Sequence, residues 1–362
     1  VGPGLPPPSF FRPGAYKDWK FEREFYRKAY GASTVVHLTH GECMDGATCD
    51  VLVRKAYGDG AVETIFLEPH ETADALELLL RVPSRARGLL VSDLSLQRGE
   101  GVRVASTLQQ LADDGWRISW RDHHHKQWEG ADLDAFERCC DITVDATGTE
   151  CGATLVQKAL LPQDKWAQEL ASVARDHDLW LRQDPRSMTL FHAIVQIGTP
   201  RWIHYLLTRK VVVDANLERW AARDRKRNAD LVKWALRRSR AVRGRRAVVA
   251  LAYGRVPTNE TLHALQERGA DLAMLVKPTG TFSLRSRKDV PVCHVIAQQF
   301  GGGGHPNASG GTLGLGGLGL LSLWTRRLDH RAVRTVAKRA LAEVDAYLQA
   351  HPEAAAATTG AR

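Results

Sequence analysis

Apolar positions in the first half of the chain fall into short β-branched runs separated by stretches of helical period. Residues 34–39 (TVVHLT) form a compact apolar run and predict a core strand. The run empties into HGECMDGATCDVLVRKAYG, where Gly46 and Ala47 open a helix that buries Ala47, Val51 and Val53. A strand at 64–67, a helix around 73–80 and a strand at 88–92 (GLLVS) follow, the last ending at Asp93. Residues 103–114 predict a helix ending near Gly115, before 116–120 alternate as another short strand. Strand–helix alternation of this kind specifies a doubly wound, mainly parallel sheet, whose ligands gather at the carboxyl ends of the strands.

The segment after Asp145 leads into a helix with small residues in its first turn. Thr149, Cys151 and Gly152 are read there as packing rather than as donors of free backbone N–H groups. Residues 166–180 form an amphipathic helix ending in Asp176-His177-Asp178. A cation-rich helical stretch, 201–246, reads as a solvated linker. The pattern then restarts with strands at 247–252, 270–277 and 282–285 and helices at 258–268 and 291–299. A glycine-rich stretch, FGGGGHPNASGG, occupies 300–311. A flexible turn at 314–319 leads to an expected strand at 320–324, and 329–349 predict a basic amphipathic helix. Residues 1–14 read as a flexible lead-in, 15–30 as a short outer helix, and the tail from 352 as disordered. The expected fold is therefore α/β. A doubly wound, mainly parallel N-terminal domain (31–200) is joined by the linker to a smaller α/β C-terminal domain (247–325), flanked by 1–30 and 326–362.

Composition narrows the chemistry. A chain of 362 residues, 44% hydrophobic and 25% charged, is an ordinary globular sequence long enough for two cores. Its net charge of +9 favours an anionic partner or substrate. Cys43, Cys49, Cys139, Cys140, Cys151 and Cys293 show neither paired metal-ligand spacing nor a disulfide framework. No apolar run reaches membrane-spanning length and no signal-peptide core is present, so the expected compartment is the cytoplasm.

Candidate chemistry sits where the expected strands end. His40 to Asp45, Asp93, and Asp122 to His125 (DHHH) each follow one, and carboxylates mixed with imidazoles suit manganese and other borderline divalent ions better than calcium. A carboxylate can bridge two such ions, and two ions can activate water while stabilising a leaving oxyanion. Asp93 alone would read as a helix cap; with two similar loops beside it, a metal centre is the better account. One acid of the Asp176–Asp178 pair is a candidate for a fourth loop. In the second half, four consecutive glycines followed by His305 let the backbone approach an anion closely.

The separation of Asp122-His123-His124 from GGGGHPNASGG resembles that in the DHH phosphoesterases with a DHH-associated C-terminal domain. This class includes RecJ-type exonucleases and phosphodiesterases acting on short oligoribonucleotides and cyclic dinucleotides. The resemblance covers about residues 31–325. It implies metal ligation by His40, Asp45, Asp93, His123 and Asp176, with Asp93 bridging, and a phosphate-facing role for His124. Asp122, His123 and His124 are the implied catalytic triplet. Arg285, Gly302, Gly303, Gly304 and His305 are the implied binders of the substrate's phosphate or nucleotide end. Two manganese ions are the implied cofactor, with Mg2+, Co2+ or Zn2+ as alternatives.

The first motif departs from the family. Cys43 stands where an aspartate is expected, and the histidine is one residue closer. Cys43 as a thiolate ligand, Glu42 reaching inward, and Cys43 as a small buried residue beside a weakly held metal are the open readings. So are a single-metal or zinc-preferring enzyme and one of reduced activity. The chain lacks an ordered aromatic series of the kind that lines long single-strand grooves. The expected activity is hydrolysis of short RNA or DNA oligonucleotides or of linear or cyclic dinucleotides, with no membrane partner and a homodimer left open. The alternatives are a 5′-to-3′ single-strand exonuclease, a phosphatase of short polyphosphate or nucleotide 3′-phosphates, and a noncatalytic nucleic-acid-binding protein.

Overall fold

Strands buried on both faces need apolar side chains at consecutive positions, and the strands of this protein meet that demand by dividing odd and even positions between two cores. The computed structural model describes residues 15–41, 43–97 and 99–356. The expected lead-in at 1–14, Glu42 and the last six residues of the tail lie outside the described residues. The chain divides into two compact units, Val1–Asp224 and Arg225–Arg362.

In the first unit the elements run α1 (Ala15–Gly31), β1 (Val35–His40), α2 (Met44–Tyr57), β2 (Val62–Leu67), α3 (Thr72–Leu79), β3 (Gly88–Ser92), α4 (Gly101–Asp113) and β4 (Arg117–Asp122). They continue with α5 (Leu133–Glu137), β5 (Asp141–Val144), α6 (Gly152–Leu160), α7 (Lys165–Asp178), α8 (Pro185–Ile197), α9 (Thr199–Arg209) and α10 (Ala215–Arg237), within which the unit boundary falls. The sheet is parallel throughout, in the order β2-β1-β3-β4-β5. Val36 and Leu38 of β1, Leu89 and Val91 of β3, and Trp120 of β4 join one core with α1, α3 and α4. Val35 and Leu90 point into the other, with α2, α6, α7 and α9. Between β1 and β3 the order reverses: α2 leads from β1 to one neighbour, while β3 arrives on the other side. Connections leaving in opposite directions open a crevice at the carboxyl ends of that strand pair, where open α/β sheets bind ligands.

Polar groups buried beneath this crevice are paired. His37 Nε2 lies 2.9 Å from Ser92 Oγ, which donates to Thr39 Oγ1 at 3.0 Å. On the other ring edge, His37 faces Asp50, which also takes the Arg54 guanidinium at 2.9 Å. These contacts tie β1 to β3 one residue before each releases a functional side chain.

The second unit runs β6 (Arg240–Arg243), β7 (Val248–Tyr253), α11 (Thr258–Glu267), β8 (Leu272–Val276), β9 (Thr281–Ser286) and α12 (Cys293–Gln298). It continues with β10 (Gly303–His305), β11 (Ala308–Thr312), α13 (Gly317–Arg326), α14 (Arg331–Ala350) and α15 (Pro352–Ala356). Its mixed sheet has the order β10-β11-β9-β8-β7-β6, parallel only between β7 and β8.

The α/β class and the parallel first sheet match the sequence expectation, and three local expectations are corrected. Residues 320–324 are helical within α13, because Leu320 and Leu323 turn inward at helical spacing while Leu318, Leu321 and Trp324 are exposed. The stretch 201–246 is not one solvated helix. Most of it divides into α9, α10 and the edge strand β6, and Trp202, Ile203 and Leu206 are buried in the first unit's core. The start of the tail is ordered as α15.

The loop from β5 to α6 is organised by Asp145. Its carboxylate accepts from Thr147 N at 3.0 Å, Thr147 Oγ1 at 2.6 Å, Thr149 N at 3.1 Å and Glu150 N at 3.0 Å. Burial opposes the charged form, but these donors prevail and hold the carboxyl down at about 2. A depressed carboxyl contributes stability above its unfolded value of about 4, lost as pH falls toward the folded value. Asp145→Asn should lower the unfolding free energy at neutral pH by about 1–2 kcal/mol. In urea titrations its deficit against the wild type should shrink progressively below about pH 4.

Candidate metal centre

Five elements bring donors to the crevice, with Asp178 ending α7. β1 ends on His40, α2 starts beside Cys43 and Asp45, β3 releases Asp93, and β4 ends on Asp122 ahead of His123 and His124. Asp93 leaves its strand with φ of 52°, a left-handed backbone uncommon outside glycine and concentrated at functional sites. Around its carboxylate, Cys43 Sγ donates to Oδ2 at 3.0 Å, His40 Nδ1 lies 3.7 Å from the same oxygen, and His123 Nε2 lies 3.3 Å from Oδ1. His123 Nε2 is also 3.5 Å from Asp178 Oδ2.

Three overlapping groups of donor atoms result, each spanning no more than 4.8 Å: His40, Cys43 and Asp93; Asp93, His123 and His124; and Asp45, His123 and Asp178. Asp93 links the first two, and His123 the last two. Carboxylates, imidazoles and a thiol converging in this way fit a divalent cation, because buried carboxylates repel one another unless a positive charge stands between them.

The electrostatics carry the same signature. Burial pushes the Asp45 carboxyl up to about 8, with Asp93 and Asp178 adding repulsion. Asp178 is raised for the same reasons, burial first and Asp93 second. Burial also opposes ionisation of Asp93, but hydrogen bonds from His123, His40 and Cys43 hold it below the carboxylate range. At His123 burial disfavours the cation, yet Asp93, Asp178 and Asp45 together raise it to about 9. The crevice thus selects for positive charge.

Asp45 has a second task. Gly152 N donates to its Oδ2 at 2.7 Å and Ala153 N to its Oδ1 at 2.9 Å, so the carboxylate caps the first turn of α6. A Cβ on Gly152 would lie 2.8 Å from both Asp45 Oδ2 and Asp93 Cβ, which is why this turn requires glycine. Backbone N–H groups here therefore do engage a site carboxylate, in contrast to the packing-only expectation for Gly152. Cys151 is fully buried at the N-cap.

Asp122 belongs to none of the three donor groups. It is fully buried, and its two oxygens hold His124 Nδ1 at 2.7 Å and Trp128 Nε1 at 2.6 Å. With Nδ1 committed to Asp122, the Nε2 of His124 is left for other partners. The sequence reading did not single out Trp128; its Asp-x5-Trp spacing, closing a single 3-10 turn at His125–Trp128, was the available signal.

Asp176 and Asp178 separate clearly. The Asp176 carboxylate turns to its own chain, accepting from Gln183 N at 2.7 Å, Asp184 N at 3.0 Å and Ser187 Oγ at 2.6 Å. Asp178, four and seven residues beyond the buried Ala174 and Ala171, shares their helix face and meets His123. The expected ligand Asp176 is thus a loop anchor placed outside the donor groups, and Asp178 stands among them.

Beside His124 lies a groove of about 1200 Å3, lined among others by Ser95, Gln97, Gln109, Lys126 and Gln127. In the second unit, Arg285 and Gly303 line one depression of about 280 Å3, and Arg285 Nη2 donates to Asn259 at 3.2 Å. Gly302 abuts the neighbouring strand so closely that a Cβ would lie 2.0 Å from Gly310 O. Gly304 pairs with Ser309 in the β10–β11 hairpin, and His305 at its end is exposed and accepts from Asn307 N at 3.2 Å. Arg287 is instead bound to Asp271 and Asp289.

No protein-family model matches the sequence, and no curated protein matches it. Solved structures do. RecJ from Thermus thermophilus, in complex with Mn2+, superposes with a TM-score of 0.50 at 14% identity, over 87% of this chain and 54% of that one. A pGpG-specific phosphodiesterase, PggH, from Vibrio cholerae gives 0.49 at 12% identity, over 86% and 99% of the two chains. An exopolyphosphatase-related protein from Bacteroides fragilis gives 0.43 at 15% identity, over 88% and 97%. At these identities the RecJ match speaks to a shared two-domain α/β fold.

Asp176→Ala removes three hydrogen bonds and should lower the unfolding free energy by about 2–3 kcal/mol in urea titrations. Asp178→Ala, measured the same way in chelator, should not lower it, since that carboxylate is repelled by Asp93.

Proposed function

We propose that the chain is a metal-dependent phosphodiesterase that hydrolyses short oligonucleotides or dinucleotides to mononucleotides. The observation that carries this reading is the sharing of Asp93 and His123 among three donor groups at the carboxyl ends of β1, β3 and β4. Two adjoining positions follow: one at His40, Cys43 and Asp93, the other at Asp45, His123 and Asp178. Paired divalent ions, manganese being the first choice, supply an activated water and neutralise charge on phosphoryl oxygens.

The side chains divide the remaining work. Burial opposes the cationic form of His124, but Asp122 at Nδ1 raises its pKa; as the imidazolium it donates from Nε2 to a nonbridging phosphoryl oxygen as negative charge builds. Trp128 keeps Asp122 in place, so Asp122 and His124 act as one aimed donor, while His123 serves as the metal ligand of the triplet. Asp93 and Asp45 keep fixed positions because a neighbouring helix turn and three side chains hold them. Arg285, Gly302, Gly303, Gly304 and His305 are assigned to a phosphate or nucleotide end of the substrate, through a guanidinium and close backbone approach.

The groove beside His124 supports nucleotides over polyphosphate. Serine and glutamine side chains offer donors and acceptors that suit base edges, and Lys126 and Arg138 are matched there by Glu129 and Asp132. A chain of phosphates would call for a run of cations. The convergence of carboxylates and imidazoles also favours catalysis over mere nucleic-acid binding, which needs no buried carboxylates.

The deciding experiment offers a 5′-phosphorylated RNA dinucleotide with manganese, beside a long DNA strand, a cyclic dinucleotide and tripolyphosphate. Mononucleotides should be released from the dinucleotide, and His123→Ala and Asp93→Asn should reduce the rate by at least about a hundredfold. Cleavage of the long strand alone would replace this reading with an exonuclease, and turnover of tripolyphosphate alone with a polyphosphatase. Silence together with no bound divalent metal would leave a binding protein.

A further inference from the structure

The two metal positions are chemically unlike. Asp45, His123 and Asp178 offer oxygen and nitrogen, whereas His40, Cys43 and Asp93 include a sulfur. Cys43 is not a buried filler: its Sγ points at Asp93 Oδ2, 3.0 Å away, and His40 Nδ1 lies 3.7 Å from that same oxygen. Ligand atoms on a four-coordinate zinc with sulfur, nitrogen and oxygen donors are separated by about 3.4–3.6 Å; the two separations to Asp93 lie within about half an ångström of that, and all three donors lie within 4.8 Å of one another. The thiol is also fixed from behind, because Gly46 N donates to Sγ at 3.0 Å in the first turn of α2. The backbone at Cys43 is extended, with φ of −120° and ψ of 156°, as an N-cap requires.

Resting on the reading of this crevice as a metal centre, we propose that Cys43 is a thiolate ligand and makes the centre a mixed-metal site. The His40, Cys43, Asp93 position selects Zn2+ or Co2+, and the Asp45, His123, Asp178 position takes Mn2+ or Mg2+. The physical basis is ligand softness. Thiolate binds zinc and cobalt far better than it binds hard, strongly hydrated magnesium, while carboxylates with one imidazole suit manganese. Binding releases the thiol proton to solvent as the sulfur–metal bond forms. Because Asp93 belongs to the sulfur-bearing group and also lies against His123, a soft and a hard ion would be held side by side.

Cobalt makes the ligand visible without recourse to turnover. Metal-stripped full-length protein titrated with Co2+ should develop a near-ultraviolet thiolate-to-cobalt charge-transfer band that saturates at one equivalent per chain. Cys43→Ser keeps a good N-cap for α2, so the fold is retained while the band disappears. Zn2+ should abolish the band at one equivalent, with Mn2+ still binding alongside. In Cys43→Asp the preference for Zn2+ over Mn2+ at this position should fall by about tenfold or more. Cobalt bound without the band, or a band that survives Cys43→Ser, would overturn the thiolate assignment and leave the metal centre standing. Absence of any divalent binding, with the fold intact by circular dichroism, would overturn both.

Discussion

Two buried carboxylates, Asp45 and Asp93, flank Gly152 and repel each other, and the first unit is arranged to tolerate that conflict. Each is compensated from a different direction. Asp45 receives the N-terminal turn of α6, whose unpaired N–H groups and helix dipole stabilise an anion. Asp93 receives His123, His40 and the Cys43 thiol. Neither arrangement works without its backbone: Gly152 lets α6 approach, and the left-handed Asp93 turns out of β3. The parallel sheet supplies what these local devices cannot, a fixed separation between the ends of β1, β3 and β4.

Much of this was legible in the sequence because the signals were local. Continuous apolar runs bounded by turns gave β1 and β3 and an alternating stretch gave β4, and an acid or histidine soon after each gave three of the four site loops. What failed to show were contacts depending on partners far along the chain. The capping of α6 by Asp45 spans more than a hundred residues, and small residues in a helix's first turn look the same whether they pack or donate. Asp176 and Asp178 were separable in principle by helix phase, since the Ala171–Ala174 stripe projects onto Asp178. Two acids flanking a histidine concealed that phase. The strand assigned at 320–324 failed because a short leucine run has no period of its own; packing of Leu320 and Leu323 on the second unit's core decided it.

The two units manage polar groups differently. In the second, Asp271 and Asp345 are spent on holding loops: Asp271 takes Val248 N and Arg287, and Asp345 takes three consecutive N–H groups at Arg245, Arg246 and Ala247. Every such bond favours the native state. In the first unit some carboxylates face one another instead, which lowers stability until a cation arrives. Repulsion of this kind is what the proposed metal centre would relieve.

The double duty of Asp45 bears on how relatives of this protein should be judged. If the proposed activity holds, a descendant that lost it would still need an acceptor under α6, and a glycine at position 152 to admit it. Asp45 and Gly152 would therefore outlive the activity and would testify to ancestry alone. Asp178 holds no backbone N–H among the described residues and would be free to drift at once. Among sequences sharing this fold, the residue at the end of α7 is therefore the more informative witness to a working centre.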